Sequence, residues 1–141
     1  MVENLSHSKK ITKTDEAAKE LIIEILGFEK TGGFDVDSIY KLNNPKGWVV
    51  LEFLKCDTVR PFESHPRRYW FKNKQKFISL WELTTDLKGI LYLINYEDSR
   101  EQFLLLKVNK IDSTIYTTDI KMNYTEFKNW LIELNREGRK R

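Results

Sequence analysis

The stretch GWVVLEFLKCD, Gly47–Asp57, decides how the chain folds. Trp48, Val49, Val50, Leu51, Phe53 and Leu54 are β-favouring or apolar, so it reads as a buried strand. Yet Glu52 sits in its middle and Lys55 follows three residues later. Burying either charge is costly unless it is paired or bound to a metal. The strand therefore poses a question about chemistry as well as about fold.

On its N-terminal side, FDVDSIYKL (Phe34–Leu42) partly alternates, as a strand does. The loop Asn43-Asn44-Pro45-Lys46-Gly47 joins the two in hairpin fashion. Pairing through so short a loop brings Asp37, or Asp35, beside Glu52. Earlier still, Thr12 or Thr14 can cap a helix with Asp15 and Glu16 in its first turn. Ala18, Leu21, Ile22, Ile25 and Leu26 keep helical spacing, and Gly27 suits a stop. Residues 1–11 read as a flexible N-terminus.

On the C-terminal side, Asp57–Pro66 is irregular. A helix follows from about Tyr69 to Lys88, with Phe77, Leu80, Trp81, Thr84 and Leu87 as its apolar stripe and Gly89 as its end. ILYLINY (Ile90–Tyr96) is a nearly continuous apolar run and reads as a central strand. FLLLKV (Phe103–Val108) and a weaker stretch from Thr114 to Ile120 are further strands. The last helix begins at Asn123, with Glu126 placed for a capping box. It turns Phe127, Trp130, Leu131 and Leu134 inward, and Gly138 ends it. The expected fold is α/β (α+β): a single mixed sheet flanked by helices, one domain over residues 12–138, with a basic tail at 139–141.

The chain has 141 residues, the size of one domain, and a formal charge of +3, too small to argue nucleic-acid binding by itself. The distribution says more: Arg67, Arg68, Lys72, Lys74 and Lys76 crowd one ten-residue stretch. Cys56 is the single cysteine, which excludes an internal disulfide framework and suits a reducing cytosol. With only His7 and His65 it makes no zinc-ligand set. No apolar run is long enough to span a membrane, and the polar N-terminus shows no secretory signal. A cytoplasmic protein without a membrane partner is expected.

Two carboxylates on adjacent strands, Asp37 and Glu52, can hold a magnesium ion, which takes oxygen ligands and keeps several waters. A nearby lysine, Lys55, can orient or deprotonate a water and balance phosphate charge. Together they suit metal-assisted attack on a phosphodiester. Each feature also has a plainer reading. Glu52 and Lys55 can be an edge-strand salt bridge or charges snorkelling to solvent. Asp35 and Asp37 can be solvated acids near a turn. In RRYWFKNKQK (Arg67–Lys76), basic and aromatic residues together can hold phosphates and stack on bases or sugars; the plainer reading is a solvated helix face whose Tyr69, Trp70 and Phe71 pack into the core. Trp48, Trp81 and Trp130 read as core, Cys56 as a small hydrophobe and His65 as a loop histidine.

An acid in GFDVDSIY, then VVLEFLKC, then a basic helix with Gln75, resembles the PD-(D/E)XK (restriction-endonuclease-like) nuclease superfamily over about residues 14–96. The resemblance implies a magnesium- or manganese-dependent nuclease acting on DNA. It makes Asp37 and Glu52 metal ligands and Lys55 the catalytic lysine. It offers Glu20 or Glu24 of the first helix, and Gln75 or Lys72 of the second, as additional site residues. Arg67, Arg68, Lys72, Lys74 and Lys76 would contact the phosphate backbone, and a homodimer would cut both strands. The alternative is a non-catalytic nucleic-acid- or protein-binding module on the same scaffold, and Glu20, Glu24 and Gln75 would then be surface residues. The family pattern has one residue between acid and lysine, whereas Phe53 and Leu54 intervene here. In a regular strand Glu52 and Lys55 face opposite sides, so the lysine role requires a β-bulge at Phe53-Leu54 to re-aim Lys55. Two strands, not the family's three, precede the basic helix.

Overall fold

A computed structural model describes residues 16–27, 32–43 and 46–140. The expected caps at Thr12 and Thr14, residues 1–11, the middle of the hairpin loop at 44–45 and Arg141 lie outside these. The chain divides into two compact units, Met1–Asp35 and Val36–Arg141. The first contains helix α1, Glu16–Leu26. It ends as its sequence suggests: Gly27 takes φ +58° and its N–H reaches the Ile23 carbonyl at 2.9 Å. None of its residues is buried.

The second unit is one five-stranded mixed sheet with a helix on each face. Its elements are β1 (Ser38–Asn43), β2 (Lys46–Lys55), α2 (Trp70–Asp86), β3 (Ile90–Tyr96), β4 (Phe103–Ile111), β5 (Ile115–Met122) and α3 (Tyr124–Arg139). The strands lie in chain order; β2 and β3 are parallel, joined through α2, and every other pair is antiparallel. Parallel neighbours need such a crossover, and a helix is the usual one. The mixed sheet with helices expected from the sequence is what the structure shows.

Side-chain alternation splits the core in two. Val50, Leu91, Leu93, Leu104, Leu106 and Ile115 face α2, against Trp70, Phe77 and Leu80. Val49, Leu51, Ile94, Phe103 and Leu105 face α3, against Phe127 and Leu134. That is why Trp48–Leu51 is apolar without alternation: both faces of β2 are covered. The capping box at Asn123 forms, with Glu126 N–H donating to Asn123 Oδ1 at 2.8 Å and Asn123 N–H donating to Glu126 Oε1 at 2.9 Å.

Several boundaries differ from expectation. The first strand begins at Ser38, not Phe34, so Asp37 stands just outside it. The helix expected from Tyr69 starts at Trp70, because Pro66–Tyr69 forms a short 3-10 turn. Helix α2 ends at Asp86, yet Gly89 is not its left-handed residue. Lys88 takes φ 57°, and the N–H groups of Lys88 and Gly89 cap Thr85 and Thr84 at 3.0 and 2.9 Å. Gly89 is needed for space, since a Cβ there would lie 2.5 Å from the Trp48 carbonyl oxygen. At the other end α3 runs past Gly138 to Arg139. Trp48 sits half-buried with Lys41 over its ring at 5.7 Å. Trp81 and Trp130 pack against the two cores. Among the described residues no helix is long and apolar enough to cross a membrane.

Candidate functional site

The β1–β2 pairing ends at Ser38↔Leu51, and Asp37, in the bend just before β1, brings its carboxylate beside that of Glu52. Glu52 falls on the α2 face, the face of Val50. Asp37 also seals the edge of β2, its Oδ2 accepting the Phe53 N–H at 2.7 Å. Asp37, not Asp35, thus stands beside Glu52. Asp35 belongs to the first unit, where its carboxylate lies 3.7 Å from Lys19.

Glu52 is 4% exposed. One oxygen, Oε2, meets Lys76 Nζ of α2 at 2.7 Å. The other, Oε1, is buried and has no hydrogen-bond partner among the described residues. Burial pushes the Glu52 carboxyl up to about 7; Lys76 opposes that rise and the neighbouring charge of Asp37 adds to it. The carboxyl is thus poised near neutrality in a region where an orphaned acceptor is costly. An oxygen shell of this kind, one buried carboxylate and a second beside it, is compatible with a divalent cation. Among the described residues no group of three or more His, Cys, Asp or Glu side chains is placed to hold a metal.

Lys55 does not join it. The β2–β3 register runs unbroken from Val49↔Ile90 to Lys55↔Tyr96, so the bulge at Phe53-Leu54 that the lysine role requires is absent. With strict alternation Lys55 stays on the opposite face from Glu52. Its ammonium pairs with Asp98 at 3.2 Å and Asp57 at 3.8 Å, and these acids raise its pKa. The cation beside Glu52 is Lys76, which sequence reading grouped with the phosphate contacts. A signal for it existed. Lys76 lies one helical turn before the core residue Leu80, so it starts on the sheet-facing side of α2, and Glu52 shares the parity of Val50, which faces that helix.

Of the remaining expected site residues, Gln75 and Lys72 are exposed on α2, and Glu20 and Glu24 are exposed on α1 in the first unit. Arg67, Arg68, Lys72 and Lys74 are all exposed, and among the described residues none of the four is in an ion pair. Arg68, Tyr69, Lys72 and Asn73 line an open cleft of about 580 Å³ together with Leu54, Cys56 and Ser64. Burial pushes the Cys56 thiol pKa up, so it behaves as a small hydrophobe there.

His65 anchors the segment that carries the two arginines. Its Nδ1 accepts the Arg67 N–H at 3.1 Å, capping the 3-10 turn, and its Nε2 meets Thr117 Oγ1 of β5 at 2.8 Å. Burial, helped by Arg67, lowers its pKa. Asn95, fully buried in β3, holds the preceding loop by donating to the carbonyls of Pro61 and Ser64. The aromatics of this segment split. Trp70 is buried and stacks on Phe77, and Tyr69 is half-buried beside it, as expected. Phe71, expected in the core, is 89% exposed. It falls on the solvent side of α2 because Trp70 and Phe77 set the inward direction.

No protein-family model, curated protein or solved structure matches the chain.

Proposed function

We propose that the chain is a divalent-metal-dependent nuclease that hydrolyses DNA phosphodiester bonds with Asp37, Glu52 and Lys76. The observation that carries this reading is the condition of Glu52. It is a carboxylate sealed in a sheet, with Lys76 on one oxygen, no partner among the described residues on the other, and Asp37 beside it. Magnesium or manganese suits such an oxygen pair and leaves its other positions to water and phosphate. When bound, the cation would supply Lewis-acid polarisation of the phosphate and a more acidic water. Asp37 and Glu52 would hold it. Lys76 would orient Glu52 and balance the charge of the phosphate, the role that Lys55, turned to Asp98, leaves open. Arg67, Arg68, Lys72 and Lys74 would take the strand's phosphates and make binding salt-dependent. A cytoplasmic setting and a homodimer with one site per strand belong to the same proposal.

The test is incubation of plasmid and single-stranded DNA with manganese or with chelator, using wild type, Asp37→Asn and Glu52→Gln. Cleavage that needs manganese and disappears in both folded variants supports the reading. The Lys76 ion pair favours a second reading, a non-catalytic nucleic-acid- or protein-binding module in which Glu52 is already neutralised. That reading expects no cleavage under any of these conditions. It also expects a Glu52→Gln, Lys76→Met double variant at least as stable as wild type.

A further inference from the structure

Phe71 is the most exposed of the large hydrophobic side chains on the described surface, at 89%. It stands in the first turn of α2, where side chains lean back toward the helix start, here toward Arg67 and Arg68. Lys72 is its chain neighbour, and Lys74 and Gln75 follow at the spacings that share its helix face. The helix spacing therefore places cations and a polar amide on the face that Phe71 occupies. Core packing does not need it, because Trp70 and Phe77 stack on each other beneath. A protein partner reading this spot by apolar contact would find one ring in a field of positive charge. A membrane would gain little from so small an apolar area. Nucleic acid offers both complements at once: phosphates for the four cations and a π-face for the ring. In a duplex the base faces are hidden in the stack, so the ring requires a base that is out of it.

We infer that Phe71 is a stacking platform for an unpaired nucleobase, and that the nucleic acid bound at this face carries a single-stranded segment. The inference deepens the nucleic-acid part of the proposed function and does not depend on its metal site.

The test is fluorescence polarisation with a labelled single-stranded oligonucleotide carrying 2-aminopurine, and with the same sequence as a blunt duplex, both in chelator. Wild type, Phe71→Ala and Phe71→Trp are compared, with thermal midpoints checked for folding. Phe71→Ala should weaken single-strand binding about tenfold and relieve the 2-aminopurine quenching. It should leave duplex binding unchanged, and Phe71→Trp should bind as wild type does. Equal affinity of Phe71→Ala and wild type for the single strand would overturn the inference. So would an equal loss on strand and duplex, or wild-type binding to phosphatidylglycerol vesicles with none to the oligonucleotide. Since no metal is present, absence of manganese-dependent cleavage would count against the nuclease reading alone.

Discussion

Glu52 is held by opposing forces on one proton. Burial and Asp37 favour the neutral acid, Lys76 favours the carboxylate, and the balance lies at about 7. In the unfolded chain the same group titrates near 4.5. Between those values the folded state keeps a proton that the unfolded state has released. Stability should therefore be full below about pH 4.5 and fall as pH rises through 7, by up to about 3 kcal/mol. Glu52→Gln should remove that fall. His65, with its lowered pKa, contributes in the opposite direction, losing stability as pH drops below its unfolded value. That contribution is common to both proteins, so the difference between their urea midpoints at pH 5 and pH 8 isolates Glu52. Parallel profiles would show that the carboxyl does not titrate in this window. The partner can be probed the same way. Lys76→Met should cost about 2 kcal/mol at pH 8, where it strands an ionised Glu52, and distinctly less at pH 5, where Glu52 is protonated. A cost independent of pH would mean that Lys76 acts only by packing.

At the scale of the elements, the sheet owes its register to alternation. Val49 and Leu51 point to α3, Val50 and Glu52 to α2, and a slip by one residue would exchange them. The close approach of the α2–β3 turn to β2 adds a prediction. Gly89→Ala should destabilise the fold by about 2 kcal/mol, because its Cβ would press on the Trp48 carbonyl. Equal thermal midpoints for the variant and wild type would show that the approach is looser. Most of the elements were legible in the sequence, because their signals are local. Ile90–Tyr96 announces itself by an unbroken apolar run, and α3 by Asn123 and Glu126 at capping distance. What escaped was non-local. The requirement for a bulge at Phe53-Leu54 came from a motif, and only pairing with β3 decides that β2 runs straight. The Lys76–Glu52 contact joins residues 24 apart in the sequence, through the phase of one helix over one strand. The core reading of Phe71 rests on its aromatic neighbours Tyr69 and Trp70, whereas the helix period set by Trp70 and Phe77 sends it outward.

For the molecule as a whole, the sheet's α2 face carries two regions with different charge. One is the acidic pair Asp37–Glu52 with its single lysine; the other is the basic rim of Arg67, Arg68, Lys72 and Lys74, fixed to the sheet through His65 and Asn95. A nuclease needs both, an acidic centre for the cation and a basic border for the strand. The acidic pair is the part on which the proposed function depends. Its most direct test is titration calorimetry of manganese into wild type, Asp37→Asn and Glu52→Gln at pH 6 and pH 8, without nucleic acid. A pKa near 7 leaves Glu52 about a tenth ionised at pH 6 and about nine-tenths at pH 8, so wild-type affinity should rise close to tenfold between them. Both variants should lose the binding while remaining folded. Manganese bound equally well by wild type and Glu52→Gln, or not bound by wild type at either pH, would contradict the metal site and leave Glu52 and Lys76 as a structural ion pair.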